Sequence, residues 1–435
     1  MRTAARTLSA AFNTVLALTA LSAPAAEAAE AWAEQKVSAA DGSPGDNFGC
    51  SLAISGDTAV IGAYVATVDH PAQGAVYVYT RADGAWTPTQ KLVAADGAEL
   101  DQFGEAIALD GDTLLISANG AHVGGGRFAG AVYVFTRGGD GVWSETQKLT
   151  AGDAAEYDNF GWSVALSGTT ALIGAPYADV AGRSDQGAAY VFSLAGGNWS
   201  EVAKLAATDG AADEHFGRAV AIEGQAALIG AADATVDGNA AQGATYAFDE
   251  SGGVWHESQK LAGSGGAAFD GYGQAVAISG DAALIGAPLK EVAYVLVRAD
   301  GLWQERQLLA GSDAPDNTRY FGYALDLEGA QAIVGAFDVD VDGRQYQGAA
   351  YVFDLDGGAW AETRRLVASD GAAHENFGLA VGISSGVALA GAYHAGVGAH
   401  AEQGAAYFYA AGDAIFADGF DGSLRDARSL AQRAR

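Results

Sequence analysis

The chain has 435 residues, with 23 Lys plus Arg against 53 Asp plus Glu, a formal charge of −30. Half of its residues are apolar and 17% charged, which excludes a disordered chain, and the acidity excludes a phosphate-backbone binder, which needs clustered Lys and Arg. Cys50 is the one cysteine, so there is no internal disulfide and no Cys-x-x-Cys metal site.

In chain order, the first segment reads as an address. Arg2 and Arg6 precede an apolar stretch, Leu8 to Leu21, and then two Ala-x-Ala cleavage signals, Ala23-Pro24-Ala25 and Ala26-Glu27-Ala28. This is the pattern of a secretory signal peptide over residues 1–28. The apolar stretch is shorter than a membrane-spanning helix requires, and no later segment reaches that length. The expected product is exported, without a membrane span once the signal is removed.

From residue 29 to 411 one unit is written seven times. Phe-Gly recurs at Phe48, Phe103, Phe160, Phe216, Phe321 and Phe377, with Tyr272-Gly273 once in the same place. Fourteen residues after each aromatic comes Gly-Ala, at Gly62, Gly174, Gly230, Gly286, Gly335 and Gly391, with Ser117-Ala118 in the second unit. A spacing that holds through seven copies marks a repeat architecture.

Each unit predicts four short strands. In the first, Phe48 to Ile54 alternates large and small residues, Ser55-Gly56-Asp57 turns, and Thr58 to Ala63 returns. A loop ending in Gln73-Gly74 leads to Val76-Tyr77-Val78-Tyr79, and Asp83-Gly84 signals a hairpin into the strand from Trp86 to Val93. The alternation predicts innermost strands that crowd around an axis and interdigitate. The seventh unit has Tyr407 but no tryptophan strand after it, while Trp32 to Val37 stands alone before the first. The N-terminal strand therefore completes the last blade. The expectation is an all-β, closed seven-bladed β-propeller of four-stranded antiparallel blades. Residues 412–435 leave the repeat and read as a disordered or sorting-related tail.

The Phe-Gly and Gly-Ala-Pro signatures, the latter at Gly174-Ala175-Pro176 and Gly286-Ala287-Pro288, resemble the FG-GAP repeat family, which includes the integrin α-subunit propeller and many exported bacterial proteins. The resemblance implies seven blades, an extracellular setting and an adhesive or ligand-binding role. Many members also bind calcium in an Asp-rich loop between the two signatures. Here that connection is a bare turn such as Ser55 to Asp57 or Ser279 to Asp281, so those calcium residues do not carry over.

Several residues are candidates for chemistry. Asp338, Asp340 and Asp342, in the string Asp-Val-Asp-Val-Asp-Gly, share a face in extended chain and would offer Ca2+ three carboxylates; the alternative is a solvated acidic turn. No other cofactor is indicated. A carboxylate precedes the aromatic by two at Asp46, Asp101, Asp158, Glu214, Asp270 and Glu375, and by seven at Asp41, Asp96, Asp153, Asp209 and Asp370. These read as a cationic-ligand funnel or as repeated turn caps. Asp326 replaces Ala or Gly on an innermost strand and needs a partner, with Arg319 and Tyr320 as candidates. Cys50 falls where other units carry Glu105, Trp162, Arg218 or Gln274, and reads as inert. Gly382-Ile383-Ser384-Ser385-Gly386 matches the nucleophile-elbow string but sits at a hairpin, where that motif has no meaning. The fourth-strand tryptophans are either stacking platforms for sugars or packing residues.

The fifth unit lacks the long loop between its second and third strands, which predicts a notch on the loop-bearing end. The reading that follows is an exported, non-catalytic binding or adhesion module, monomeric, engaging an extracellular protein or glycan through that end. The alternatives are a polysaccharide-active enzyme with axial carboxylates and a multivalent carbohydrate-binding lectin. Propellers host all three.

Overall fold

Blade 1 shows how the unit folds. Leu52–Ser55, Thr58–Ala63, Ala75–Ala82 and Ala85–Leu92 lie side by side in that order, each antiparallel to the next. The computed structural model describes residues 32–312 and 319–411, and in these the chain forms seven such four-stranded sheets, a seven-bladed propeller. No helix among the described residues is long and apolar enough to cross a membrane. The segments read as signal peptide (1–28) and tail (412–435) lie outside the described residues.

Closure follows the expectation. Trp32–Val37 pairs with Ala405–Ala411, Trp32 opposite Ala411 and Val37 opposite Ala406, and so supplies the fourth strand of the blade that holds Val381–Ser384 and Val387–Ala392. The innermost strands begin later than the alternation predicts. In blade 1 the strand starts at Leu52, because Gly49 takes φ +93° and the Cys50 amide donates to the Asn47 carbonyl, which makes Phe48 to Cys50 a turn.

The signature spacing has a mechanical basis. Within a blade the amide of the Phe-Gly glycine donates to the carbonyl of the Gly-Ala glycine, as Gly49 does to Gly62 at 2.8 Å and Gly161 to Gly174 at 2.9 Å. This bond extends the first hairpin by one rung and fixes the interval. Between blades, a Cβ on Gly174 would collide with the Gly217 carbonyl of the next Phe-Gly pair. The Gly-Ala glycine is therefore required by backbone contact, and the Phe-Gly glycine by its left-handed backbone as well, as at Gly217 with φ +93°. Ser117 is the exception, and its Oγ accepts the Ala106 amide at 2.8 Å.

Apolar clusters lie between blades. One joins Val60, Val78 and Leu92 of blade 1 to Phe103, Leu114 and Ile116 of blade 2. Another joins Leu389 and Phe408 of blade 7 to Ile61 and Trp86 of blade 1, where Trp86 stacks on Phe408 at 4.3 Å. A sheet with two apolar faces needs a neighbour on each side, and a ring gives every sheet both. Gln35, on the N-terminal strand, also exchanges two hydrogen bonds with the backbone of Trp86.

The ring has two unlike ends. On one, the loop after each second strand meets the loop that enters the next blade, as where the Phe103 amide donates to the Gln73 carbonyl. On the other, the first hairpins join, as where the Gly224 amide donates to Ser167 Oγ.

Candidate functional site

The repeated carboxylates of the loop-bearing end are largely committed to structure. Asp41, Asp96, Asp153, Asp209 and Asp370 each accept a tyrosine hydroxyl and a lysine ammonium, for example Tyr190 and Lys204 on Asp153 at 2.8 and 2.6 Å. Partial burial works to raise these carboxyls, but the two bonds hold them below their usual range. Asp46, Asp101, Asp158, Glu214 and Asp270 each accept the amide three residues upstream. That is turn capping, although Asp101 Oδ1 and Glu375 Oε2 are buried without a hydrogen-bond partner.

Asp338, Asp340 and Asp342 lie on the loop after Gln331–Ala336. The intervening Val339 and Val341 are buried. Asp338 Oδ1 accepts the Asn376 amide group at 3.1 Å, and Asp340 Oδ1 accepts the Tyr346 backbone amide at 2.9 Å. Asp342 occupies the hairpin tip with φ +50°, across the bridge from Val341 to Arg344. Asp179 makes the same bond to the Asp185 amide in blade 3, so the Asp340 contact is a recurring loop cap. Among the described residues no group of three or more His, Cys, Asp or Glu is arranged to hold a metal ion.

Asp326 sits mid-strand in Ala324–Glu328, the innermost strand of blade 6. Its partners are not Arg319 and Tyr320. Oδ1 accepts the Leu327 amide at 2.8 Å, and Oδ2 accepts the Ile383 amide of blade 7 at 2.7 Å. Innermost strands are sheet edges with unpaired amides, and Asp326 satisfies two of them. Burial pushes its carboxyl up to about 6, although the two amides oppose the rise. Arg319 instead lies over the Tyr346 ring, and Tyr320 stacks on Phe337 at 4.9 Å.

Other sequence candidates prove structural. Ser384 Oγ donates to Glu328 and accepts the Gly56 amide, within a plain hairpin between Val381–Ser384 and Val387–Ala392. Trp86, Trp143, Trp199, Trp303 and Trp360 are buried, which removes them as sugar platforms. Cys50 lies against the Gly104 carbonyl, and burial, with Glu105 adding to it, pushes its thiol up to about 12.

The axial register two residues after each signature aromatic carries unlike residues: Cys50, Glu105, Trp162, Arg218, Gln274, Tyr323 and Leu379. Its variety within an otherwise uniform repeat is the signal that marks it. Glu105 Oε2 is buried without a hydrogen-bond partner, and burial raises that carboxyl to about 7. Arg218 Nε donates to Gln274 Oε1 at 2.8 Å, with the guanidinium 5.7 Å from the Trp162 ring centroid.

Arg218 and Gln274 also line a cavity of about 290 Å3 where the fifth blade falls short. There Ala282–Ala287 is followed at once by Val292–Ala299, with only residues 288–291 between, where blade 4 has residues 232–243. The cavity is lined by Pro288 and Leu289 of blade 5, Asp233 and Ala241 of blade 4, Tyr320 and Tyr323 of blade 6, and Phe269. Asp233 Oδ2 pairs with His215 Nδ1 at 2.7 Å, the main cause of its lowered pKa. Phe269 is 64% exposed with φ +67°. Lys290 donates to Tyr294 and to the Ser264 and Gly265 carbonyls, in the place where blades 1, 2, 3, 4 and 7 have the Asp–Tyr–Lys group. The cavity is the notch expected from the short loop. Spacing announced the missing loop but not the side chains that gather there, because they come from three blades.

The comparison with curated proteins yielded no match. Among solved structures, one from Bacteroides uniformis, described as a candidate 6-phosphogluconolactonase, superposes with a TM-score of 0.52 at 14% identity, over 77% of this chain and 89% of that one. At that identity the likeness speaks for the propeller fold alone. The FG-GAP repeat model matches seven times, over residues 32–79, 86–135, 143–192, 199–248, 255–295, 303–353 and 360–409. These matches take in one signature pair per blade and the strand that closes the ring, and on them the chain belongs to the FG-GAP repeat family.

Proposed function

We propose that this protein is an exported, non-catalytic binding module that engages an extracellular protein or glycan through the loop-bearing end of its propeller. The observation that carries the reading is the notch cavity, a concave site with polar and aromatic groups converging from three blades on one end of a rigid ring. Membership of the family and the signal-like residues 1–28 support the extracellular setting. The rival readings have less support. Both oxygens of Asp326 are bound by backbone amides, so it is poorly placed as an axial acid or base, and of the repeated fourth-strand tryptophans Trp86, Trp143, Trp199, Trp303 and Trp360 are buried, with Trp255 half-buried.

The test uses a bulky label on either end. Ala240→Cys places a thiol on the loop beside the notch, and Asp281→Cys places one on a first hairpin. Each is biotinylated and capped with streptavidin, with the parent chain, carrying Cys50 alone, as the labelling control. The chains are applied to an array of extracellular matrix proteins and purified polysaccharides. Capture should be lost with the label at residue 240 and retained with the label at 281. Loss only at 281, or equal capture by both, overturns the reading.

A further inference from the structure

We propose that the notch between blades 4, 5 and 6 binds an uncharged sugar residue of an extracellular glycan, in a single site per chain. This rests on the loop-end reading above and narrows it to one ligand class.

Charge balance is the first ground. Arg218 and Asp233 face the same cavity, so its two full charges are of opposite sign. A site built for an anion would not place a carboxylate beside its one guanidinium, and a site built for a cation would not place a guanidinium beside its carboxylate. The net charge of −30 repels acidic polymers besides.

The second ground is the kind of polar groups on offer. Arg218 spends Nε on Gln274 Oε1, which leaves its Nη groups and the Gln274 amide nitrogen as donors. Asp233 spends Oδ2 on His215, which leaves Oδ1 as an acceptor. Donors and an acceptor held side by side match neighbouring hydroxyls, each of which both donates and accepts. These polar groups are fixed before any ligand arrives, since Gln274 and the Trp162 face hold the guanidinium and His215 holds the carboxylate.

The third ground is Phe269. Its register in the blade-entry loop takes left-handed backbone, as do Gly45, Leu100, Tyr157, Asp213 and His374 at the same place in blades 1, 2, 3, 4 and 7. Phe269 stands exposed and lines the notch cavity together with Tyr320 and Tyr323. Aromatic rings gathered with polar side chains around one cavity suit the C–H faces of a sugar ring. The volume of about 290 Å3 is at the small end for ligand pockets and accommodates about one or two rings. Only the fifth blade has the short loop, so the site is single.

Titration calorimetry on the mature chain tests this with short fragments of glucan, mannan, galactan and xylan, and with polygalacturonate and alginate fragments as acidic counterparts. At least one neutral fragment should bind with one site per chain. Phe269→Ala and Asp233→Asn should each weaken it by about tenfold or more. Tyr157→Ala, at the same register beside blade 3, should leave it unchanged, and unaltered thermal midpoints show that the variants fold. Three results overturn the proposal: no neutral fragment binds, binding survives both substitutions, or acidic fragments bind as tightly. An array partner blocked by the residue-240 label but captured equally by Phe269→Ala sinks the sugar site and leaves the loop-end reading standing.

Discussion

The Ile383 amide donates to Asp326 Oδ2 at 2.7 Å, a bond from the innermost strand of the last blade to that of the blade before it. The carboxylate takes the place of a small residue and crosses to the neighbouring sheet edge. Burial raises its folded-state pKa from 3.8 to about 6, so the folded chain holds the proton more tightly than the unfolded chain. The stability linked to that proton is fully present below pH 3.8 and is lost as pH rises to about 6. The loss amounts to about 3 kcal/mol. Asp326→Asn has no such titration. Thermal midpoints across this range should fall in the parent relative to the variant, and parallel slopes would show that Asp326 is not the titrating group.

Gly174 meets the Gly217 carbonyl of the next blade, a contact between two backbones that no rotamer relieves. Gly174→Ala should cost about 2–3 kcal/mol in urea unfolding. Gly182, with φ +79° and open space around it, is the control. Gly182→Ala should cost about 1 kcal/mol, from backbone strain alone. Equal losses would mean that the contact between signature glycines does not constrain the ring.

Gln147 exchanges two hydrogen bonds with the Trp199 backbone, and Gln90, Gln259 and Gln307 do the same for Trp143, Trp303 and Trp360. Ala203 stands at this place between blades 3 and 4. A cavity of about 250 Å3 opens at that junction, lined in part by Val202 and Trp255. Gln147→Ala should destabilise by about 2 kcal/mol, and Ala203→Gln should stabilise by about 1 kcal/mol through the bonds it restores. A lower unfolding midpoint for Ala203→Gln would sink the second half of this prediction.

Asp340 caps its own loop through the Tyr346 amide. In excess chelator, Asp340→Ala should lower stability by about 1 kcal/mol, and Asp340→Asn, which keeps the accepting oxygen, by much less. No loss in chelator would remove the capping role. A calcium-dependent rise in the parent midpoint, abolished by Asp342→Asn, is what a metal at Asp338, Asp340 and Asp342 requires.

The number of blades, the order of strands and the closing role of Trp32–Val37 were legible in the chain. Each is written in short-range spacing and repeated seven times, so one reading checks the next. The signature glycines were legible as positions but not as contacts, since each meets backbone of a neighbouring blade, Gly174 the Gly217 carbonyl and Gly217 the Ala188 carbonyl. Asp326 shows the limit most directly. Its sequence neighbours Arg319 and Tyr320 looked like partners, but the innermost strand aims the side chain at Ile383, 57 residues on. The notch had the same history. Spacing marked a missing loop, whereas Asp233 and Phe269 share no register with each other or with Arg218 and Tyr323. Local rules set the blade, because a strand and its turn are made by adjacent residues. Ring closure alone brings three blade edges together, so only the tertiary structure decided what lines the space between them.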